Sequence, residues 1–261
     1  MNYGEFAMLL NPKDFTFKEL KGFEGMSGTK YLGTPKDPED SPRILVKCNY
    51  TSDMPINEYV GCNLGRMIGV NTPRAWLFAD STKGRINFHN AVAIEYLDGL
   101  DEKWRHHYDT EEYAIQTIQS DILHILMNDS DVIRPPAYFQ GKLYAYDFGE
   151  GLFPDLAMAK TDILVGDCLK RDNGFTRNQW TREVLEDKIR RRLRQYIKRD
   201  HPVEKELVIR VYLDMRDKYI TVCKNKGLND MLREIAVAYS NDISEWMNNY
   251  LHAMQMAYFS F

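Results

Sequence analysis

The stretch 142-KLYAYDFGEGL-152 alternates apolar and polar side chains and then reaches a carboxylate, Asp147, in an Asp-Phe-Gly triplet. Such alternation predicts a half-buried β-strand. The preceding 135-PPAYFQG-141 predicts its hairpin partner, with the turn at Gln140-Gly141. We therefore expect Asp147 at the tip of a strand, where a carboxylate can coordinate a magnesium ion.

Composition predicts a globular chain without a nucleic-acid or membrane role. Its 261 residues are 44% hydrophobic and 28% charged, enough for one large domain or two small lobes. The formal net charge of −4 gives no basic field for nucleic acid, and no apolar run is long enough for a membrane span. The start of the chain lacks signal-peptide features. Four cysteines without a CxxC pair predict reduced thiols, no zinc site and a cytoplasmic location.

Residues 1–98 predict a small, β-rich lobe. Strand-like runs alternate with turn signals, and the predicted strands are YLGT, RILVKC, RAWLFA and NAVAIEYL. One helix interrupts them, in NEYVGCNLGRMIG, with an apolar face and Asn57 as the expected N-cap.

From Thr110 the pattern becomes helical. The run TEEYAIQTIQSDILHILMN has an apolar stripe, with Thr110 as its expected N-cap. After the hairpin, the chain beyond about residue 178 reads as helical throughout. Residues 99–261 therefore predict a mainly helical lobe, joined to the first near Asp98-Gly99. The predicted class is α+β with two lobes, and a cleft between such lobes is a natural ligand site.

A glycine-containing run precedes the strand YLGT. In FEGMSGTKYLG, Gly25 and Gly28 lie on either side of Ser27, and Thr29 follows Gly28 directly. Glycines let backbone N–H groups approach phosphates closely, and a hydroxyl adds a donor. The alternative is a flexible turn before a strand, and the run does not match the Walker A pattern.

Lys47 lies inside the apolar run 44-ILVKCN-49. Such a lysine either faces solvent, the commoner case, or points into a cleft toward an anion. The helix that follows carries Glu58. A strand lysine held by a helix carboxylate is the arrangement that contacts nucleotide phosphates, so we expect both residues in an ATP site.

Two further segments carry candidate residues. The run 91-AVAIEYLDGL-100 connects the lobes, and the backbone of Glu95, Tyr96 and Leu97 is predicted to bind adenine. The alternative is that this run is simply a core strand followed by a turn. At the end of the predicted helix that Thr110 caps, the loop 128-NDSD-131 supplies two carboxylates, either of which could act as the acid/base residue for an acceptor hydroxyl. These are Asp131 and its competitor Asp129. The alternative is that this acidic loop is solvent-exposed surface without a catalytic role.

In this order the segments resemble the HipA-type kinases and the related phosphatidylinositol 3-/4-kinase-like group. The matching segments, within residues 20–150, are SGTKYL, ILVKC, the helix opening with Asn57-Glu58, IEYL, ILMNDSD and YDFG. The resemblance implies a two-lobed protein-kinase-like fold and a phosphotransferase that uses ATP and Mg2+. It implies that Lys47 contacts the phosphates, that Asp131 is the acid/base and that Asp147 binds magnesium.

The resemblance also implies a protein substrate with an acceptor serine or threonine. If the chain phosphorylates itself, Ser27 and Thr29 are the first sites expected. One position departs from the family pattern: Pro136 stands where the family has a magnesium-binding asparagine, or Arg134 does if Asp129 is catalytic. Neither side chain ligates a cation. The alternatives are therefore a nucleotide-binding, kinase-like regulatory protein with weak or no transfer, and an unrelated α+β interaction domain.

Overall fold

The computed structural model describes residues 9–21, 28–39, 41–48, 54–79, 82–84, 86–88, 91–104, 110–127, 135–149 and 205–224. These residues form a mixed α/β structure around an antiparallel sheet. The sheet contains, in spatial order, β1 (Phe15–Glu19), β2 (Thr29–Pro35), β3 (Ile44–Cys48), β7 (Ala91–Glu95) and β4 (Ala75–Leu77). Two separate hairpins are β5 (Thr82–Lys83) with β6 (Ile86–Asn87), and β8 (Ala137–Phe139) with β9 (Lys142–Tyr144). The helices of this part are α1 (Met54–Met67), α2 (Glu111–Leu126) and α3 (Lys205–Lys224).

The sheet has two unlike faces because side chains alternate along each strand. One face forms an apolar core with the β5–β6 hairpin, where the ring centroids of Phe78 and Phe88 lie 4.6 Å apart. The buried members of this core are Phe15, Ile44, Val46, Cys48, Phe78, Ile86, Phe88, Ala91 and Ala93. The opposite face carries Lys47 and its cross-strand partner Val92, and α1 packs against β7 and β4 there.

Helix α1 is buried around nearly its whole circumference, and the buried residues include the polar Glu58 and Asn63. The predicted N-cap at Asn57 is wrong, because the helix begins at Met54. Pro55 is well suited to the first turn of a helix, where its missing N–H needs no acceptor. The helix therefore starts before Asn57, whose side chain is available for another contact.

Helices α2 and α3 pack against each other, and α2 also contacts β9 and α1. The apolar residues of α3 recur at helical spacing and are buried: Val208, Val211, Met215, Tyr219 and Val222. The Thr110 cap is confirmed, since its Oγ1 accepts the N–H of Tyr113 at 3.2 Å. The helix in EKELVIRVYLDMRDKYITV is confirmed as α3, while the other helices expected beyond residue 178 lie outside the described residues.

The strands in YLGT, RILVKC, RAWLFA and NAVAIEYL are confirmed as β2, β3, β4 and β7. The β8–β9 hairpin is confirmed too, with φ of 47° at Gln140 and 83° at Gly141, the left-handed pair that a tight hairpin turn requires. Strand β9 ends at Tyr144, however, so Asp147 lies beyond the strand and not at its tip. Within the described ranges, none of the helices has a stretch both apolar and long enough to cross a membrane.

Candidate functional site

Three predicted site residues converge between the sheet and α1. Lys47 on β3 donates a hydrogen bond from Nζ to Glu58 on α1, and the same Nζ lies 2.7 Å from Oδ1 of Asp147. Lys47 is 6% exposed and Glu58 is 1% exposed. The sheet, the buried helix and the segment after β9 therefore each contribute one charged group to a largely buried cluster, in which the Asp147 side chain is 18% exposed.

The cluster contains one ammonium group and two carboxylates. Burial alone would lower the pKa of Lys47, but Glu58 and Asp147 outweigh it and raise this pKa, so the lysine stays charged. Burial raises the pKa of Glu58 to about 7; the attraction of Lys47 opposes this rise and the charge of Asp147 adds to it. The two carboxylates therefore share the Lys47 ammonium group, and the charge of Asp147 disfavours the ionised form of Glu58.

The carboxylates of Glu58 and Asp147 fit a metal ion that takes most of its other ligands from a bound substrate or from water. Oε2 of Glu58 is buried and has no hydrogen-bond partner within the described part of the chain. In that same part, no group of three or more His, Cys, Asp and Glu side chains is arranged to hold a metal. Mg2+ is commonly bound by one or two carboxylates together with substrate phosphates, and Asp147 could supply such a carboxylate.

Asp147 has a backbone conformation that is uncommon for residues other than glycine, although Asp adopts it more readily than most. Its φ of 66° lies in the left-handed region, which costs an L-residue about 1–2 kcal/mol. Such strain persists only where neighbouring contacts enforce it, and it concentrates at functional sites. The next residues provide those contacts: Phe148 is fully buried, and the carbonyl of Gly149 accepts the side-chain amide of Asn57 at 3.2 Å.

Phe148 fits a notch that α1 leaves open at Gly61. A Cβ atom placed on Gly61 would lie 2.6 Å from the Cβ of Phe148, closer than real side chains approach. On another side, the Phe148 ring stacks on His124 of α2 at a centroid distance of 4.6 Å. The phenyl ring therefore fixes the turn that contains Asp147 against two helices.

The segment leading to Asp147 is fastened as well. Asn71, between α1 and β4, donates its side-chain amide to the carbonyl of Leu143 at 3.2 Å, and its backbone carbonyl accepts the N–H of Ala145 at 2.9 Å. Gln116 of α2 accepts the N–H of Leu143 at 2.7 Å. Sequence reasoning did not identify these amides, because an isolated Asn or Gln has no local pattern that reveals a distant backbone partner.

The connecting segment offers fewer free amides than its sequence predicts. The N–H of Glu95 donates to the carbonyl of Arg74 at 2.8 Å, and the N–H of Tyr96 donates to the carbonyl of Arg43 at 2.9 Å. Both groups are thus engaged by neighbouring chain segments. Among the three residues predicted to bind adenine, an N–H donor would have to come from Leu97.

The Glu95 side chain is held by Arg74. Its carboxylate accepts bonds from Nε at 3.2 Å and from Nη2 at 3.1 Å, and the Arg74 guanidinium lies over the ring of Trp76. Burial opposes ionisation, but the hydrogen bonds and charge of Arg74 outweigh it and lower the pKa of Glu95 below its usual value. This pair fixes the end of β7, where the connecting segment begins.

The glycine-containing run enters the sheet at β2. Gly28 has a φ of 83°, a conformation that favours glycine. Thr29 pairs with Cys48, whereas Lys30 pairs with Lys47. Because faces alternate, the Thr29 side chain lies on the apolar-core face, and the structure does not bring it together with Lys47.

Four predicted site residues lie outside the described residues: Gly25, Ser27, Asp129 and Asp131. Their roles stay predictions, and Arg134 also lies outside the described residues. Pro136 is described, and it is buried just before β8.

Lys30, in contrast, is not singled out by any sequence pattern and yet lies on the same face of the sheet as Lys47. Only the register of β2 against β3, which the sequence does not specify, identifies it.

The chain matches no protein-family model and no curated protein. A solved structure that it resembles is the crystal structure of the Helicobacter pylori proinflammatory kinase CtkA, with a TM-score of 0.40 and 14% sequence identity. The match covers 91% of this chain and 99% of that chain. At this TM-score and identity the likeness assigns neither a fold nor an activity.

Proposed function

We propose that this chain is an ATP- and Mg2+-dependent phosphotransferase with a two-lobed protein-kinase-like fold, its lobes being residues 1–98 and 99–261. The observation that carries the proposal is the contact of the Lys47 ammonium with the carboxylates of both Glu58 and Asp147. In phosphotransferases of this kind, a strand lysine held by a helix carboxylate contacts nucleotide phosphates beside a metal-binding aspartate.

Each residue then has a distinct role. The Nζ of Lys47 would bind phosphate oxygens, and Glu58 would orient the ammonium group. Asp147 would hold Mg2+, which when bound neutralises the charge of the phosphates. The Leu97 N–H would bind adenine. The strained, immobilised turn at Asp147 supports this role, because a metal-binding carboxylate has to be held in position before its ligand arrives.

The acceptor we propose is a serine or threonine hydroxyl of a protein, with Asp131, or its competitor Asp129, as the acid/base residue. This follows the sequence resemblance, since a carboxylate near the acceptor can orient the hydroxyl and take its proton. A glycine-containing run that covers the phosphates would place Ser27 within reach of self-phosphorylation, whereas the Thr29 side chain lies on the face of the sheet opposite Lys47.

A second candidate is a kinase-like protein that binds ATP and transfers phosphate slowly or not at all. Pro136 favours it, because the residue at this position cannot supply the second metal ligand of the related kinases. The two candidates differ in chemistry and not in nucleotide binding.

Mass spectrometry of the intact protein, after incubation with ATP and Mg2+, distinguishes the two. An active enzyme is expected to gain phosphate, with peptides around Ser27 and Thr29 mapped first, and Asp147→Asn is expected to gain none. ATP binding without phosphate gain on the protein or on a generic protein substrate would support the regulatory candidate. Absence of any ATP binding would contradict both.

A further inference from the structure

The buried carboxylate of Glu58 has one oxygen that lacks a hydrogen-bond partner. Oε1 accepts a hydrogen bond from Nζ of Lys47, whereas Oε2 makes none within the described part of the chain. The Glu58 side chain is 1% exposed, so water does not compensate Oε2 from outside. A charged oxygen buried in this way bears the cost of its lost hydration. An ion that binds the oxygen would offset this cost.

The carboxylate of Asp147 lies beside that of Glu58. Nζ of Lys47 contacts both groups, and its distance to Oδ1 of Asp147 is 2.7 Å. The charge of Asp147 and a side-chain contact with it also raise the pKa of Glu58, an effect that requires the two carboxylates to be close. The pair can therefore bind one cation together, as it already does with the ammonium group of Lys47.

Helix α1 fixes the two carboxylates next to each other. Asn57, the residue before Glu58, donates its side-chain amide to the carbonyl of Gly149 at 3.2 Å, two residues after Asp147. The helix thus holds the turn that contains Asp147 by a contact in which Lys47 takes no part. Like charges held side by side repel each other unless a cation compensates them. Mg2+ is commonly bound by one or two carboxylates together with phosphate oxygens, which is the chemistry that this fixed pair offers.

We propose that Glu58 is a second carboxylate ligand, beside Asp147, for the Mg2+ that accompanies the nucleotide, with Oε2 binding the metal while Oε1 keeps its hydrogen bond to Lys47. This inference rests on the proposed function, in which Asp147 alone holds the metal and Glu58 only orients the lysine. Phosphate oxygens and water would supply the remaining ligands, because the described residues place no third His, Cys, Asp or Glu side chain at this position.

The test is titration calorimetry of the whole protein with a non-hydrolysable ATP analogue, once in excess Mg2+ and once in EDTA. The ratio of the two affinities measures how much the metal contributes to binding. Glu58→Gln keeps an oxygen that accepts from Lys47 but removes the charge, so the affinity in EDTA should stay close to that of the wild type. The ratio should fall by about 10-fold or more, since even residues that only hydrogen-bond to a metal's ligands contribute about this much to metal affinity. Glu111→Gln, at a side chain that is 68% exposed on α2, is the matched control and should keep the wild-type ratio.

The outcomes separate this inference from the function on which it rests. A wild-type ratio for Glu58→Gln overturns its metal role. An equal loss of affinity in Mg2+ and in EDTA overturns it too, because Glu58 then acts only through Lys47. Wild-type protein that does not bind the analogue, or that binds it equally in Mg2+ and in EDTA, overturns the proposed function, and the inference with it.

A second measurement on the wild type covers the case in which Glu58→Gln does not fold. Mn2+ replaces Mg2+, the glutamate side-chain carboxyl carbons are labelled with 13C, and electron–nuclear double resonance is recorded with the analogue bound. A 13C coupling to Mn2+ is expected, because a carboxylate that binds the metal brings its labelled carbon next to the unpaired electrons. Absence of this coupling overturns the inference.

Discussion

The Nζ of Lys47 and the Oδ1 of Asp147 lie 2.7 Å apart, although 100 residues separate them in the chain. This contact closes the sheet onto the segment after β9, and Glu58 completes it from α1. An ion pair of this kind is expensive to bury, and it stabilises a protein only weakly compared with apolar packing. Its presence is better explained by a ligand than by stability.

Lys47→Met should destabilise the protein by about 3–5 kcal/mol, because it leaves the buried carboxylate of Glu58 and the partly buried carboxylate of Asp147 without their cation. The double variant Lys47→Met/Glu58→Gln should be more stable than Lys47→Met alone, since one of the stranded charges is removed. Urea unfolding of the wild type, both single variants and the double variant measures this coupling. A double variant that loses the sum of the single losses would show that the two residues do not interact.

Gly61→Ala should lower the melting temperature, against the usual trend. An alanine in place of a helical glycine normally stabilises by about 1 kcal/mol. Here the new Cβ would collide with Phe148, and overpacking of this kind costs about 1–3 kcal/mol. Adding Phe148→Leu should recover part of the loss by making room. A higher melting temperature for Gly61→Ala alone would mean that Phe148 does not occupy this notch.

Asn57→Ala should weaken the binding of ATP with Mg2+ because it removes the amide that holds the Gly149 carbonyl. The matched control is Asn63→Ala on the same helix, whose side chain donates to the Ala75 carbonyl at the same 3.2 Å distance, away from Asp147. Each should cost roughly 1 kcal/mol of stability. Only Asn57→Ala should also lower nucleotide affinity, and equal affinities in calorimetry would refute a positioning role for Asn57.

The Glu95–Arg74 pair should make stability depend on pH in the acidic range. The pKa of Glu95 is lowered from 4.5, so the unfolded chain binds the proton more readily than the folded one. The contribution is therefore present above pH 4.5 and is lost as the pH falls through the folded-state pKa. Both side chains are partly exposed, which limits it to roughly 0.2–1 kcal/mol.

Glu95→Gln tests this pH dependence by chemical unfolding at neutral pH and at several acidic pH values. The stability difference between wild type and variant should shrink as the pH falls. Glu111→Gln serves as the control. The side chains of Glu111 and its partner Arg210 are 68% and 66% exposed, so this ion pair should contribute little to stability. A constant difference between wild type and Glu95→Gln at every pH would contradict the account.

Residues in strong local patterns could be predicted, and residues defined by register could not. Lys47 in its apolar run and Asp147 after its hairpin both follow from alternation, which is local. Strand β1 was missed because FTFKE is short and ends in charged residues. The sequence predicts Asn57 as an N-cap because a capping residue type precedes an apolar run. Pro55 nevertheless allows the helix to begin earlier, at Met54.

Lys30 illustrates the physical limit of the prediction. A lysine near the start of a strand reads as solvent-exposed until its partner strand is placed beside it. Shifting β2 by one residue against β3 would bring Thr29 or Tyr31 opposite Lys47 and turn the lysine to the other face. Register depends on the packing of the whole sheet and not on the segment alone.

Binding of ATP with Mg2+ at the Lys47–Asp147 site is best measured as the thermal shift of the wild type, compared with Mg2+ alone and with Asp147→Asn. At 100 times its dissociation constant, a ligand stabilises the folded state by about 2.7 kcal/mol, which for a chain of this size is a shift of several degrees. We expect a shift that requires Mg2+ and is lost in Asp147→Asn. No shift with ATP, or one that is independent of Mg2+ and Asp147, would contradict it.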